Sequence, residues 1–302
     1  MKNFKPNGMF RQTAILFLLT ELVFKLPCMA QNAPVTWWQF DEGKGKNVKD
    51  SISNETDKIA GNYWYAEGVK GSCLKLDGYT THVVRSADKT PRLDGEFTVE
   101  AWVAPQAYPW NWTAIVSHEK DHKEGFFFGV SADGNVGLGM AALADGQWMM
   151  CVSKERIDLL KWSHIAATYQ KSGKIVIYIN GKKSGEQEKL TSDWTGAMRF
   201  PDSREMWIGR SHTKMYAQGT EREPSRQKLS DMVFEGLIDE VKIYRGAMNE
   251  KEIQSAYETV KPKNPQPLNY MKFPTEGKGK NTFGAYYTTM KFDPAWGCTL
   301  AH

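Results

Sequence analysis

The chain has 302 residues, of which 41% are hydrophobic, 12% aromatic and 25% charged. This composition argues against wholesale disorder, a collagen-like repeat and a coiled coil, and the length allows one large domain or two small ones. The formal charge is +4, but Lys2, Lys5, Arg11 and Lys25 against the single acid Glu21 place most of it in the first 30 residues; the other 35 basic and 34 acidic residues nearly cancel, which argues against a nucleic-acid binder.

The N-terminus reads as an address label. Lys2, Lys5 and Arg11 precede an apolar run, Thr13 to Phe24, that is broken by Glu21. Cys28-Met29-Ala30 then sets small residues three and one positions before Gln31. That layout predicts a secretory signal peptide over 1–30, cleaved after Ala30. The run is short for a membrane span, and an uncleaved anchor is the alternative. Lys25-Leu26-Pro27 ahead of Cys28 makes a poor lipobox. The expected location is secreted, periplasmic or cell-surface, with membrane contact only through the export signal. Cys73, Cys151 and Cys298 remain in the mature chain, an odd number that is no disulfide framework. Cys73, in G-S-C-L-K-L-D-G, is expected to face inward as a small apolar residue, and a Cys73–Cys151 bridge is left open. No Cys/His spacing resembles a zinc site.

Beyond the leader, period-two patterns separated by turn residues predict strands. In chain order these are 35–40, 73–76, 81–85, 97–103, 114–117, 126–130, 136–140, 163–170, 174–179, 206–209 and 234–244. Asp133-Gly134-Asn135, Lys171-Ser172-Gly173 and Asn180-Gly181 are the turn signals between neighbours. Such spacing with almost no helical periodicity predicts an all-β, two-sheet antiparallel sandwich. One short helix follows, because Asn249 with Glu252 makes a capping-box start and Ile253 and Tyr257 lie four apart. It is expected on the end of the sandwich. The stretch 259–282 is a proline- and glycine-rich linker, and 283–302 turns aromatic and strand-like again. That last segment reads as the start of a second domain or as a strand docking back.

The ordered set of pieces resembles the laminin-G-like, concanavalin-A-like jelly-roll domains of secreted bacterial carbohydrate-active proteins. The pieces are W-Q-F-D-E-G-K-G (38–45), Asp50-Ser51, G-S-C-L-K-L-D-G (71–78) and F-T-V-E-A-W-V (97–103). They continue with W-S-H-I-A-A-T-Y (162–169), I-Y-I-N-G (177–181), W-I-G (207–209) and F-E-G-L-I-D-E-V-K-I-Y (234–244). The resemblance covers 31–258 and implies a jelly-roll fold. It leaves function open among lectins, hydrolases, lyases and adhesion modules. Segment 283–296 also resembles the opening of a catalytic module in larger proteins of this kind, which implies that such a domain is a partner missing from this chain.

The resemblance further implies a structural calcium held by the late-strand Asp239, with Asp41 and the Asp77-Gly78 turn supplying oxygens. Alternation puts Leu237, Asp239 and Val241 on one face, and an acid on an apolar face needs a partner. Turns rich in Asp and Gly offer the hard oxygens that calcium takes; pairing with a Lys or with backbone amides is the alternative. Glu119, Asp121 and Glu124 fit the E-x-D-x-x-E pattern of laminarinases and lichenases of this broad fold. However, Lys and His between the acids make both faces polar, so no catalytic residue is assigned. Saccharides are held by aromatic faces with polar side chains at the rim. The loop tryptophans are therefore the candidates: Tyr108, Trp110 and Trp112 on one proline-kinked loop, Trp148 after Gln147, and Trp194 after Asp193. Arg210 and His212, leading into the polar loop 211–231, are expected at the rim. Trp38, Trp102, Trp162 and Trp207 lie in strand patterns and are expected in the core. The leading expectation is an exported, non-catalytic glycan-binding or scaffold module that accompanies a carbohydrate-active enzyme. The alternatives are a glycoside hydrolase or polysaccharide lyase of the same fold, and a protein-binding adhesion domain.

Overall fold

The computed structural model describes residues 1, 33–93, 95–141, 148–188, 198–215 and 231–266, with the backbone of 292–293 and 297–298. The expected signal peptide, Gln147, Trp194, most of the loop 211–231 and most of 267–302 lie outside the described residues. In chain order the elements are β1 (Pro34–Trp38), β2 (Asn47–Lys49), β3 (Thr56–Ala60), β4 (Tyr63–Glu67), β5 (Ser72–Asp77), β6 (His82–Arg85), β7 (Phe97–Pro105) and β8 (Thr113–Lys120). They continue with β9 (Glu124–Val130), β10 (Asn135–Ala141), β11 (Trp148–Arg156), β12 (Ser163–Tyr169), β13 (Ile175–Ile179), β14 (Lys182–Gln187), β15 (Met206–Ile208), β16 (Glu235–Arg245) and the helix α1 (Glu250–Val260). A separate pair, β17 (Phe292–Asp293) and β18 (Gly297–Cys298), completes the set.

Two antiparallel sheets form the sandwich. Sheet A runs β14-β13-β12-β7-β16-β5-β4, with β1 added beside β16. Sheet B runs β11-β10-β9-β8-β15-β6-β3-β2. Val99, Ala101, Val103, Ile165, Ile177 and Ile243 of sheet A face Val116, Phe126, Phe128, Leu138, Met140 and Ile208 of sheet B in one buried core. The period of two in the sequence is thus the inner face of each strand. The predicted turns are present, and Gly134, Gly173 and Gly181 hold φ of 83°, 88° and 75°, a region open to glycine at little cost. Strands β2, β3, β4, β11 and β14 were not foreseen; they are short or carry charges, as in Thr56-Asp57-Lys58-Ile59.

The two sheets are also joined by a buried charge cluster. Arg85 on β6 pairs with Asp57 at 2.6 Å and Asp50 at 2.9 Å. Its guanidinium lies 4.6 Å from the Trp38 ring centre, and Trp38 Nε1 donates to Asp57 at 2.6 Å. Paired carboxylates and a planar cation satisfy one another, which such burial requires.

Several expectations need correction. Glu240 has φ of 51°, and the β16–β7 register shifts between Asp239 and Lys242. This bulge turns Val241 into the core with Ile238 and Ile243, whereas Leu237 packs on the other side of sheet A. Val241 therefore does not share a face with Asp239. Cys73 is buried but packs with Trp102, Trp162 and Leu237 on that same outer side, not in the inter-sheet core where Cys151 lies. Both thiols are free, so no Cys73–Cys151 bridge forms.

Helix α1 begins as predicted. The Asn249 side chain accepts from Lys251 and Glu252 N–H, and Glu252 accepts from Asn249 N–H at 2.7 Å. It covers the outer face of sheet A rather than the end of the sandwich. Ile253 packs with Ala166, Val176, Tyr178 and Tyr244, and the Tyr257 ring stacks 5.6 Å from Trp102. Under it lies a second buried charge cluster, in which Glu100 contacts His164 at 3.2 Å, Lys242 at 3.1 Å and the Tyr244 hydroxyl at 2.8 Å. These partners hold the Glu100 carboxyl at about 2, against the pull of burial. Beyond α1, the Pro265 carbonyl accepts from Trp162 N–H at 2.6 Å.

Candidate functional site

The outer face of sheet B carries aromatic rings and has no helix over it among the described residues. Gly125, Phe127 and Gly129 of β9 and Gly137 and Gly139 of β10 are the residues that alternate with the core-facing Phe126, Phe128, Val136 and Leu138. Two of these glycines seat an indole: a methyl group at Gly139 would sit 2.4 Å from Trp148 Cζ2 and one at Gly137 2.8 Å from the Trp112 ring, whereas one at Gly129 would meet the Thr113 carbonyl oxygen at 2.0 Å before Phe127 Cζ at 2.5 Å. Glycine inside a strand commonly marks such a close approach. Gly137 and Gly139 share one face two residues apart, so the Trp112 and Trp148 seats are about 7 Å apart along β10. Trp112 meets the Phe127 ring edge to face at 6.0 Å. Trp148 meets the His122 imidazole at 4.5 Å. Both tryptophans are half-buried, so part of each ring faces solvent.

On the same face, Ser117 of β8 lies between Phe127 of β9 and Trp207 of β15 in register. Trp207 is half-buried here, not in the core as expected. His212 stacks on it at 3.8 Å and 26°, His82 lies at 5.0 Å, and the Arg210 guanidinium is 5.2 Å from its ring centre. Arg210 is paired with Asp231 at 2.9 Å. Arg210 and His212 therefore cover Trp207 rather than rim an open groove. His212 Nε2 bonds the Glu205 carbonyl at 2.9 Å and His118 Nε2 the Arg204 carbonyl at 3.1 Å. Burial keeps both imidazoles neutral, lowering His212 to about 3 and His118 to about 4.

The other aromatic candidates divide. Trp110 is 65% exposed, two residues before Trp112 on the same loop. Tyr108 instead packs on the Gly134 turn and donates to the Ile157 carbonyl at 2.6 Å, as a support for that loop. Trp102 and Trp162 are buried on the outer side of sheet A, and only Trp38 of the four expected core tryptophans lies in the inter-sheet core. Glu119 and Glu124 sit on the two arms of the β8–β9 hairpin, with Asp121 and His122 at φ of 52° and 55° in its turn. The three acids do not share one strand face. Sequence reasoning missed His122, which lies against Trp148, and the buried Phe127 that supports Trp112. The signal for the site was the alternate glycines of V-G-L-G (136–139), unusual in strands with this much apolar sequence.

The proposed calcium set is split by the structure. Asp77 Oδ1 accepts from Tyr79, Thr80 and Thr81 N–H at 3.0, 2.7 and 2.9 Å, which makes it the staple of its own turn. Asp41 and Asp239 lie at the opposite end of β5, roughly 17 Å away at strand rise. They bracket the turn between β4 and β5: Asp41 accepts from Ser72 N–H at 2.8 Å and Asp239 from Val69 N–H at 2.8 Å. Asp77 and Gly78 thus cannot join Asp239 in one site. Burial, and then the neighbouring Glu240 carboxylate, push Asp239 up to about 9 despite those amides. Glu240 Oε1 is buried without a hydrogen-bond partner.

Comparison with known proteins now fixes the family. The description of the concanavalin A-like lectin/glucanases superfamily matches residues 77–254, more than half of the chain. The chain belongs to that superfamily. No curated protein matches it significantly. Among solved structures, the binding domain of Paraclostridial Mosquitocidal Protein 1 aligns with a TM-score of 0.56 at 15% identity, over 75% of this chain and 52% of that one. Domain 4 of AbnA, a GH43 extracellular arabinanase from Geobacillus stearothermophilus solved with arabinotriose, aligns at 0.53 and 19% identity, over 74% of this chain and 98% of that one. The binding domain of Botulinum Neurotoxin DC in complex with SialylT aligns at 0.54 and 14%, over 76% and 52%. The chain spans about half the length of the toxin binding domains it matches. At these identities the likeness is one of fold.

Proposed function

We propose that this chain is an exported glycan-binding module and that the outer face of sheet B is its binding face. The observation that carries the reading is the pair of glycine-seated indoles, Trp148 and Trp112, whose seats on β10 are about 7 Å apart, with the buried Phe127 ring supporting Trp112. Pyranose and furanose rings present C–H faces to such indoles, and neighbouring hydroxyls take polar groups at the rim. Exposed Trp110 extends the aromatic surface along the same loop. The sugar complexes of two proteins of this fold, one with arabinotriose and one with SialylT, support a saccharide as the ligand class. In this reading the export signal over 1–30 delivers the module outside the cell. The proline-rich stretch 259–282 joins it to a catalytic domain that follows. The test is binding of the mature chain to a glycan array that includes arabinotriose, with and without calcium. Binding that weakens in Trp148→Ala supports the reading; silence across the array from folded protein overturns it.

For calcium, Asp41 and Asp239 fit and Asp77 with Gly78 do not. A fully buried carboxylate raised to about 9, beside a second carboxyl with an unpartnered buried oxygen, is relieved by a nearby divalent cation. Asp41, Asp239 and the backbone of the β4–β5 turn would hold it, and the cation would supply structural stabilisation. A lower melting temperature after chelation is the expected result, and an unchanged one contradicts it.

A further inference from the structure

We infer that Glu119 is a positioning residue that sets the two aromatic groups of the sheet B face relative to each other; this rests on the glycan-binding reading. Its side chain is 1% exposed, and both carboxylate oxygens are committed, each to a different loop. Oε2 accepts from His122 N–H at 3.1 Å. That bond holds the β8–β9 turn in the left-handed conformation that brings the His122 ring against Trp148. Oε1 accepts from the Thr213 hydroxyl at 2.5 Å. That bond holds the segment after β15, whose His212 stacks on Trp207. The Glu119 carbonyl adds a third tie, accepting from Arg204 Nε at 3.3 Å. One carboxylate thus links the Trp148–His122 pair to the Trp207–His212 pair. Ser117, two residues earlier on the same strand face, accepts from His212 N–H at 3.4 Å and completes the row.

The sequence pattern that suggested an acid for hydrolysis is better used this way. Glu119 faces two donors and no solvent, so it is placed to hold loops rather than to meet a substrate. Loss of a buried acceptor frees two turns at once, because each donor is left without its partner. A glutamine keeps both bonds, since its carbonyl accepts from His122 N–H and its amide donates to the Thr213 oxygen. A leucine keeps the volume and loses both.

The experiment follows the indole Nε1–H signals of Trp148 and Trp207 by NMR in the full chain, alongside glycan affinity. Glu119→Leu should shift both signals and weaken binding about tenfold, whereas Glu119→Gln should keep both signals near wild type. Thr213→Val cuts one arm and should shift Trp207 while leaving Trp148 in place. Wild-type signals in Glu119→Leu, or Glu119→Gln as disruptive as Glu119→Leu, overturn the inference. If Glu119→Leu does not fold, Thr213→Val decides, and an unmoved Trp207 signal overturns it. The signals are read without sugar, so if the wild-type chain binds no glycan while the variants still show these shifts, the binding reading fails and the positioning role stands.

Discussion

The outer faces of sheets A and B start from the same strand alternation and end in opposite uses. On sheet A the outward residues are Glu100, His164, Trp102, Lys242 and Tyr244, and α1 roofs them over with Ile253 and Tyr257. On sheet B they include glycines at 125, 129, 137 and 139, and Trp112 and Trp148, whose rings lie on Gly137 and Gly139, are only half-buried. Large outward side chains demand a cover, because their apolar area and their charges must be satisfied together. Glycine removes that demand and leaves a shelf on which a loop-borne ring can lie. A jelly-roll sheet becomes a support or a binding face according to which of these the strand alternates with its core residues.

The most forceful way to break the comparison is to disturb the roofed face. Glu100→Ala leaves Lys242, His164 and the Tyr244 hydroxyl facing a void. It should cost about 3–5 kcal/mol of stability, as loss of one partner from a buried charge cluster does. Chemical denaturation measures this. Glycan affinity of the folded fraction should be unchanged, and a large loss of affinity would merge the two faces into one unit.

Acid should separate the faces next. His118 and His212 are held neutral, at about 4 and about 3 against an ordinary 6.5. The unfolded chain takes up those protons first, so the stability at His212, stacked on Trp207, and at His118, on the core side of β8 against Phe126, is full above pH 6.5 and falls as pH drops toward 3 and 4 respectively. Glu100, held at about 2 against 4.5, keeps its contribution down to about pH 4.5 and loses it between there and 2. Trp207 fluorescence should therefore change at higher pH than the global unfolding signal. Coincident transitions would show that the faces do not respond separately.

Much of this architecture is legible in the sequence. The alternation through 97–103 and 163–169, the Gly turns and the Asn249 cap each name their element by a local rule. What was hidden depends on chain segments far apart. The Glu240 bulge reverses the face of Val241, and nothing in G-L-I-D-E-V announces it. The resemblance joins Asp77 at a turn and Asp239 in a strand in one site, yet β5 sets them at opposite ends. The place of Trp207 was misjudged because W-I-G alternates like a core strand, whereas its ring meets His212 and Arg210 from elsewhere in the chain. The exposure of Trp110 was legible because an aromatic, proline-bearing loop after a strand has few buried places to go.

Two smaller effects sharpen the contrast. Gly139→Val should displace the Trp148 ring, since even the Cβ falls 2.4 Å from it. It should reduce glycan affinity several-fold while the melting temperature moves by only a few degrees, because the site is half-open. The smallest effect is expected at the β4–β5 turn. Asp239, raised to about 9, carries a proton in the calcium-free fold, so its penalty grows as pH rises from about 4 toward 9. Asp239→Asn in chelator should therefore match or slightly exceed wild-type stability at pH 8. With calcium present the order should reverse, and scanning calorimetry with and without chelator reads both.

The central claim is that sheet B, and not sheet A, presents the sugar-binding face. The most direct test is calorimetric titration of the sugar selected on the array into wild type, Trp112→Ala, Trp148→Ala and Glu100→Gln, with each melting temperature recorded. The account predicts that each tryptophan variant loses about tenfold or more in affinity, the scale of a central aromatic anchor, with little change in melting temperature. Glu100→Gln should bind like wild type while melting lower. Wild-type affinity in both tryptophan variants, or lost affinity in Glu100→Gln alone, would contradict it.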